Sequence, residues 1–152
     1  MQLMSTPRRM RGVSLIEVLV SVVIIAIGLL GIAAMQSMAL RGGQSSLESS
    51  QAVMQSQSIL ESMRANRANV GEYVTGGRLC DPTAASAANA LAEDDLRNWI
   101  TALKTDIGTV GDATTCGQIA VDGTGNWTVT VQWDDDRAGG GSARTVTTET
   151  RI

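Results

Sequence analysis

The sequence has no histidine and no phenylalanine, and it has only one tyrosine, two prolines and two cysteines. Without histidine, the usual general base of enzymes and the commonest metal ligand are both missing. The other residue types show no nucleophile–base pair and no metal-ligand cluster, which makes an enzyme the weakest interpretation. We therefore expect no catalytic residue, no metal site and no cofactor.

Charge is absent from Val18 to Leu40, a run of 23 residues. As a helix this run would be about 35 Å long, enough to cross the hydrocarbon core of a bilayer. No proline interrupts the chain between Arg8 and Asp81, so a helix could continue past the apolar run. We expect residues 13–40 to form the membrane-spanning half of a long N-terminal helix and residues 41–69 its amphipathic half.

The amphipathic half carries apolar residues at spacings of four and seven, which predicts one face that packs on a globular head. Between them lie many serines and glutamines, and Gly42-Gly43 could bend or interrupt the helix. The apolar positions are Leu47, Ala52, Met54, Ile59, Leu60 and Met63.

Three interpretations compete for the first forty residues. A plain membrane anchor would be oriented by Arg8, Arg9 and Arg11, with its N-terminus in the cytoplasm. A cleaved secretory signal would end at Ser37-Met38-Ala39, but the apolar run is much longer than that of a signal peptide. The third interpretation depends on Glu17, because a carboxylate at the edge of hydrocarbon is costly and needs a partner or a function.

Gly12, then Val13-Ser14-Leu15-Ile16-Glu17, then an unbroken apolar helix resembles the class III signal of type IV prepilins and pseudopilins. The resemblance implies that residues 1–12 are a leader and that prepilin peptidase cleaves after Gly12. It also implies that Val13 becomes N-methylated and that Glu17 serves in assembly by pairing with a neighbouring subunit's α-amino group. The family most often has phenylalanine where this chain has Val13.

The segment from Glu61 to Asn69, which contains Met63-Arg64-Ala65-Asn66-Arg67, resembles the end of the stem in the PilV group of minor pilins. Two further segments, Ile27–Gly31 and Ala34–Gln36, add to this resemblance. It implies other minor and major pilins, prepilin peptidase and the inner-membrane pilus assembly machinery as partners. The two arginines would also favour a helix C-terminus, through the helix dipole.

The sequence predicts a globular head for residues 70–152 and an α+β fold for the whole chain. Val70 to Pro82 is glycine-punctuated and predicts a connector. Apolar residues lie three, four and seven positions after Leu96, which predicts an amphipathic helix that ends at or before Gly108. Its apolar residues are Leu91, Leu96, Trp99, Ile100, Leu103 and Ile107.

The rest of the head predicts an antiparallel sheet. Apolar and polar residues alternate most clearly from Asn126 to Trp133, which predicts a strand. A short strand is predicted before it, at Gln118 to Val121, and another after it, at Ala143 to Ile152. The carboxylates Glu93, Asp94 and Asp95 are explained by placement near a helix N-terminus rather than by acid–base chemistry. Asp134-Asp135-Asp136 lacks the spaced ligands of a calcium loop, so we expect a solvated loop there.

Cys80 and Cys116 both fall in predicted loops, and an even cysteine count in an exported domain favours a disulfide between them. Without residues 1–12, the side chains carry a formal net charge of −6. That charge argues against non-specific binding of nucleic acid through phosphate contacts, although it leaves a local basic patch open.

The sequence therefore predicts a minor pilin that is held in the inner membrane by a single span, with its head in the periplasm, and that later enters a pilus at the cell surface. A minor pseudopilin of type II secretion is the closest alternative, because its N-terminal signal is nearly the same. A static, membrane-anchored periplasmic binding protein is the alternative from another class, since it needs neither cleavage after Gly12 nor a polymer.

Overall fold

The computed structural model describes residues 12–135 and 143–152. Within them the fold is α+β, as the sequence predicts, and divides into one compact unit that ends at Ala39 and a second that covers Leu40–Ile152. The elements are α1 (Leu15–Ala65), a 3₁₀ helix (Arg67–Tyr73), a short 3₁₀ turn (Pro82–Ala84), α2 (Ala90–Asp106) and the strands β1 (Cys116–Val121), β2 (Asn126–Asp134) and β3 (Ala143–Arg151).

The first half of α1 is apolar on all sides, and its side chains are exposed. An 18-residue window reaches a mean hydropathy of 2.9, and none of it is buried. A helix that is apolar all round has no polar face to turn to water. By length and composition it could cross a membrane.

The second half of α1 buries one face in the head, and four of the six predicted apolar residues lie on that face. The α-helix runs through Gly42-Gly43 without interruption. Leu47 and Met54 are exposed, because they lie on the side of the helix that turns away from the core. The buried residues recur every three to four positions and include two polar ones: Glu48, Ala52, Ser56, Ile59, Leu60 and Met63.

Helix α2 buries the predicted face and ends at Asp106, before Gly108 as expected. Asn89 caps its N-terminus, since the side-chain oxygen accepts a hydrogen bond from Ala92 N at 3.1 Å. Leu91 is exposed and does not belong to the apolar face, because the phase set by Leu96 and Trp99 turns it outward. Trp99 Nε1 donates to Gln55 O of α1 at 3.1 Å, so the two helices meet there.

The three strands form one antiparallel sheet in the order β1-β2-β3. Strand β2 alternates as predicted, with Trp127, Val129, Val131 and Trp133 buried. Strand β1 starts at Cys116 rather than Gln118, because Cys116 and Gly117 already pair with β2. Gly117 also exchanges two backbone hydrogen bonds with Leu79, at 2.8 and 2.9 Å. The inner face of the sheet, α2 and the second half of α1 close a single hydrophobic core.

Candidate functional site

The candidate site lies where the exposed apolar helix begins. Gly12, Val13 and Ser14 precede the helix and are exposed. Ser14 O accepts hydrogen bonds from Glu17 N at 3.0 Å and from Val18 N at 3.3 Å, which start the first turn of α1. Gly12 and Val13 are therefore accessible backbone, adjacent to the helix but outside it.

Glu17 stands in the first turn of α1, where a negative side chain is favoured by the helix dipole. Its side chain is exposed and makes no ion pair or hydrogen bond with any residue in the two described stretches. The backbone oxygen of Glu17 accepts from Ser21 Oγ at 2.7 Å. The carboxylate is thus held at the apolar boundary and points to no partner within its own described chain.

Among the described residues, the head contains no cluster suited to metal binding. No group of three or more acidic or cysteine side chains there could hold a metal ion. Asp135 is buried, and its Oδ2 accepts from Arg144 Nε at 2.7 Å and from Ser45 Oγ at 3.0 Å. The solvated loop expected at Asp134-Asp135-Asp136 is wrong at Asp135, because these contacts tie it to α1 and β3; Asp136 lies outside the described residues.

The arginine–asparagine segment at the end of the stem holds the head to the stem. Asn66 Nδ2 donates to Asn89 Oδ1 at 3.0 Å and to Tyr73 Oη at 3.3 Å, so the end of α1 is tied to the cap of α2. Arg64 is in the last turn of α1, where it suits the helix dipole, and pairs with Glu61 at 2.6 Å. Arg67 lies beyond the last turn, in the 3₁₀ helix.

Tyr73 is fully buried, although it lies in the predicted connector. Its hydroxyl donates to Asp95 Oδ2 at 2.5 Å. Burial, reinforced by the hydrogen bond to that carboxylate, raises the pKa of Tyr73 to about 12. The one signal in the sequence was the tyrosine itself, since aromatic side chains contribute large areas to cores and a buried tyrosine hydroxyl usually finds a hydrogen-bond partner.

Cys80 and Cys116 form a disulfide, as the even count predicted, although Cys116 lies in β1 rather than in a loop. Nearby, Lys104 is buried and its Nζ donates to the backbone oxygens of Asp112 and Thr115. Burial raises the pKa of the Asp112 carboxyl, but hydrogen bonds from three backbone N–H groups outweigh it and hold that pKa well below its usual range. The charged groups of this cluster have hydrogen-bond partners within the protein, so the cluster stabilises the fold.

A cavity of about 380 Å³ opens beside this disulfide. The charged groups that line the cavity already have hydrogen-bond partners. Lys104 and Asp112 make the hydrogen bonds described above, and Asp81 Oδ1 accepts hydrogen bonds from Thr83 N and Thr83 Oγ1. The remaining lining is mainly apolar. The lining residues are Cys80, Asp81, Pro82, Thr101, Lys104, Val110, Gly111, Asp112 and Ala113.

Residues 7–33 match the family model described as the prokaryotic N-terminal methylation motif. The match covers residues 7–12 of the predicted leader, Glu17 and most of the exposed apolar helix. It supports a type IV pilin-like or pseudopilin protein, associated with pilins and their machinery in general, and it points to a structural subunit rather than an enzyme. With the long apolar helix it also supports membrane anchoring. Searches of curated proteins and of solved structures gave no significant match.

Proposed function

We propose that this chain is a minor pilin subunit, similar to the PilV group, that takes part in the assembly or initiation of a type IV pilus. The match of residues 7–33 to the methylation motif carries the proposal, because a pilin subunit would begin with such a motif. The exposed apolar half of α1 supports it, since that surface needs lipid or other stems around it.

Prepilin peptidase would cleave after Gly12, and Val13 would become the N-methylated first residue. In the inner membrane the helix would span once, with the head in the periplasm. The partners would be other minor and major pilins and the inner-membrane assembly machinery. Residues 13–40 would then exchange lipid contacts for contacts with neighbouring stems, and the head of residues 70–152 would follow the stem into the pilus.

Glu17 would be the assembly carboxylate. An ionised carboxylate at the membrane edge is disfavoured by desolvation. The α-amino group of a neighbouring subunit could offset that cost through a charge-assisted hydrogen bond. Such an amino group exists at the right depth only after cleavage frees Val13. The exposed position of Glu17, without a partner in the described chain, is what this role requires.

To test this, the Glu17→Ala and Glu17→Gln variants are expressed in a strain that lacks the wild-type gene. Mass spectrometry then measures processing of the leader, and purified pili show how much of each variant is incorporated. Processing should stay normal, with mature chains beginning at Val13. Incorporation should fall roughly tenfold or more, because a hydrogen bond to a charged group contributes about 1.5–3 kcal/mol. Glu17→Gln should be intermediate or equally poor, since it keeps the shape and loses the charge.

Glu61→Ala is the matched control, because Glu61 is an exposed carboxylate on the same helix, with 68% of its side chain accessible. It should assemble like the wild type. Normal incorporation of processed Glu17→Ala would remove the assembly role, and an uncleaved leader beside an active peptidase would favour the static anchor. Loss of protein secretion rather than of pili on deletion would identify a minor pseudopilin.

A further inference from the structure

The two cysteines of the disulfide differ in their access to solvent. Cys116 is 2% exposed and lies inside strand β1. Cys80 is half-buried and belongs to the lining of the cavity beside the disulfide, whereas Cys116 does not. A thiolate that attacks a disulfide bonds to one sulfur and expels the other. Because the cavity reaches Cys80 and not Cys116, a thiolate can attack the folded head only at Cys80.

The cavity beside Cys80 has room for a small molecule. Its volume of about 380 Å³ falls within the range of about 300–1,000 Å³ that is usual for small-molecule sites. Pro82, Val110 and Ala113 give it apolar walls on which the carbon atoms of a ligand can pack. Val110 is 81% exposed, so this wall is open to solvent. The cavity therefore provides a path from solvent to Cys80.

The charged groups of the cavity discriminate between ligands. Asp81 is exposed and Asp112 is partly exposed. Lys104 is only 5% exposed, and its Nζ donates to the backbone oxygens of Asp112 and Thr115. An anionic ligand would therefore meet two carboxylates and no accessible positive charge. A ligand without a carboxylate is favoured, because like charges at short range repel each other.

Lys104 also lies close to the sulfur that would be expelled. Its Nζ donates at 3.3 Å to Thr115 O, the carbonyl oxygen directly before Cys116. A neighbouring cation stabilises a thiolate. The disulfide is thus accessible at Cys80 and has a positive charge near Cys116, which is the arrangement that an exchange reaction requires.

We propose that Cys80 is the site at which the folded head exchanges its disulfide with a small thiol whose other groups are uncharged or cationic. The thiolate of this ligand enters the cavity and attacks Cys80 Sγ. A new S–S bond forms there, the Cys80–Cys116 bond breaks, and its electron pair stays on Cys116 Sγ, which takes a proton from solvent. The product has a mixed disulfide at Cys80 and a free thiol at Cys116. The reaction needs only the folded head, so it does not depend on pilus assembly.

The test uses the purified full-length chain in detergent under native conditions, with cysteamine as the cationic thiol and mercaptoacetate as the anionic one. Timed samples are quenched with acid, free thiols are blocked with a maleimide, and peptide mass spectrometry locates both groups. The cysteamine adduct should lie on Cys80 and the maleimide on Cys116, at least about tenfold more often than the reverse. Cysteamine should react at least about fivefold faster than mercaptoacetate, after division of each rate by that of the denatured chain.

Two variants obstruct the cavity and one matched control does not. Thr101→Trp and Val110→Trp each add an indole to the lining and should slow the exchange about tenfold, because the thiol must pass the new ring. Val121→Trp is the control and should react like the wild type. Val121 is also an exposed valine, at 41%, but it does not line the cavity.

A further variant separates exchange in the folded head from exchange after unfolding. Glu48→Ala removes a buried hydrogen bond far from the cavity and destabilises the head. It should speed a reaction that requires unfolding by about five- to 150-fold. The rate of the proposed reaction should instead stay unchanged and should rise in proportion to the thiol concentration.

Three results would overturn the proposal: equal adducts on the two cysteines, no effect of either cavity-blocking tryptophan, or a rate that rises with the instability of Glu48→Ala. A disulfide that does not exchange at all in the folded chain would also overturn it. Denaturation midpoints show that each variant is folded. None of these measurements involves pili, so their outcome leaves the proposed pilin function to its own test.

Discussion

Single residues secure the contact between stem and sheet. Glu48 is only 4% exposed, and its Oε2 accepts from Trp133 Nε1 at 3.0 Å. Ser56 lies about two turns further along α1, is also buried, and donates to Ala52 O of the same helix at 2.8 Å. Buried polar groups are costly unless they are hydrogen-bonded, so these partners are needed wherever the stem buries a polar side chain.

Loss of the Glu48 carboxylate should weaken the head. Glu48→Ala should lower the free energy of unfolding by about 1–3 kcal/mol, because it leaves the buried indole N–H of Trp133 without its acceptor. Glu48→Gln should cost less, since the amide oxygen can still accept. Chemical denaturation of the detergent-solubilised chain, followed by tryptophan fluorescence, measures the change. Glu61→Ala, at an exposed position, should stay within about 0.5 kcal/mol of the wild type; an equal loss in both variants would contradict the role of Glu48.

The Tyr73 hydroxyl should lose its proton only at high pH, with a pKa of about 12 instead of its ordinary 10.0. A pKa raised in the folded state means that folding favours the protonated form. The stabilisation is therefore complete below pH 10 and is lost as the pH rises through about 12. Since Tyr73 is the only tyrosine in the sequence, ultraviolet absorbance of tyrosinate reports it directly.

Two neighbouring carboxylates separate the causes of this shift. Asp95→Asn should lower the pKa of Tyr73 toward its ordinary value, because the acceptor loses its negative charge, while burial should keep some of the rise. Asp94→Asn should change little, because Asp94 pairs with Arg97 at 3.1 Å and does not contact Tyr73. A Tyr73 titration near pH 10 in the folded wild type would contradict the prediction.

At the scale of elements, α2 and β1 approach each other at a glycine. A methyl group added at Gly117 would come within 2.4 Å of two ring carbons of Trp99 and 3.0 Å of Ile100 Cδ1. The indole of Trp99 can approach the strand this closely only because position 117 has no side chain. Helix α2 in turn meets α1 through the Trp99–Gln55 hydrogen bond. The missing side chain at Gly117 therefore lets α2 pack this closely on β1.

Gly117→Ala should destabilise the head by about 1–3 kcal/mol, the usual cost of an extra carbon in a packed core. The shift in the denaturation midpoint measures it, and Trp99 should report a change in fluorescence. Gly123→Ala is the control, because Gly123 lies in the turn between β1 and β2 with nothing within 4 Å and no positive φ. If both alanines had the same small effect, the close approach of Trp99 would not limit the packing.

At the scale of the whole molecule, the Cys80–Cys116 disulfide joins the segment that follows the stem to the first strand of the sheet. The two cysteines are 36 positions apart in sequence. A cross-link over that distance restricts the unfolded chain and stabilises the fold by roughly 3–4 kcal/mol in the chain-entropy model. The segment before Cys80 is also held to β1 by the bridge between Leu79 and Gly117 and by hydrogen bonds between Thr75 and Ile119.

Replacing both cysteines by serine should therefore lower the free energy of unfolding by roughly 3–4 kcal/mol. Denaturation with and without reductant measures it: reductant should destabilise the wild type and leave the double variant unchanged. Mass analysis should find the exported wild-type chain two hydrogens lighter than the dithiol. Free, alkylatable cysteines in the folded protein would show that the core alone holds the head.

The sequence by itself determined the features that depend on neighbouring residues. The charge-free run from Val18 to Leu40, the alternation of β2 and the spacing of α2 each show in a short window, because helix and strand periods are local. The same holds for the methylation motif, whose Gly12 and Glu17 are five residues apart. These patterns were enough for the α+β fold and for the class of protein.

Only the tertiary structure decided which polar residues of the stem are buried. Apolar spacing alone favoured Leu47 and Met54, whereas the core takes Glu48 and Ser56. Glu48 finds its partner 85 positions away, and Ser45 finds Asp135 90 positions away. A buried polar residue is stable only where such a partner meets it, and no local pattern in the chain records where that meeting occurs.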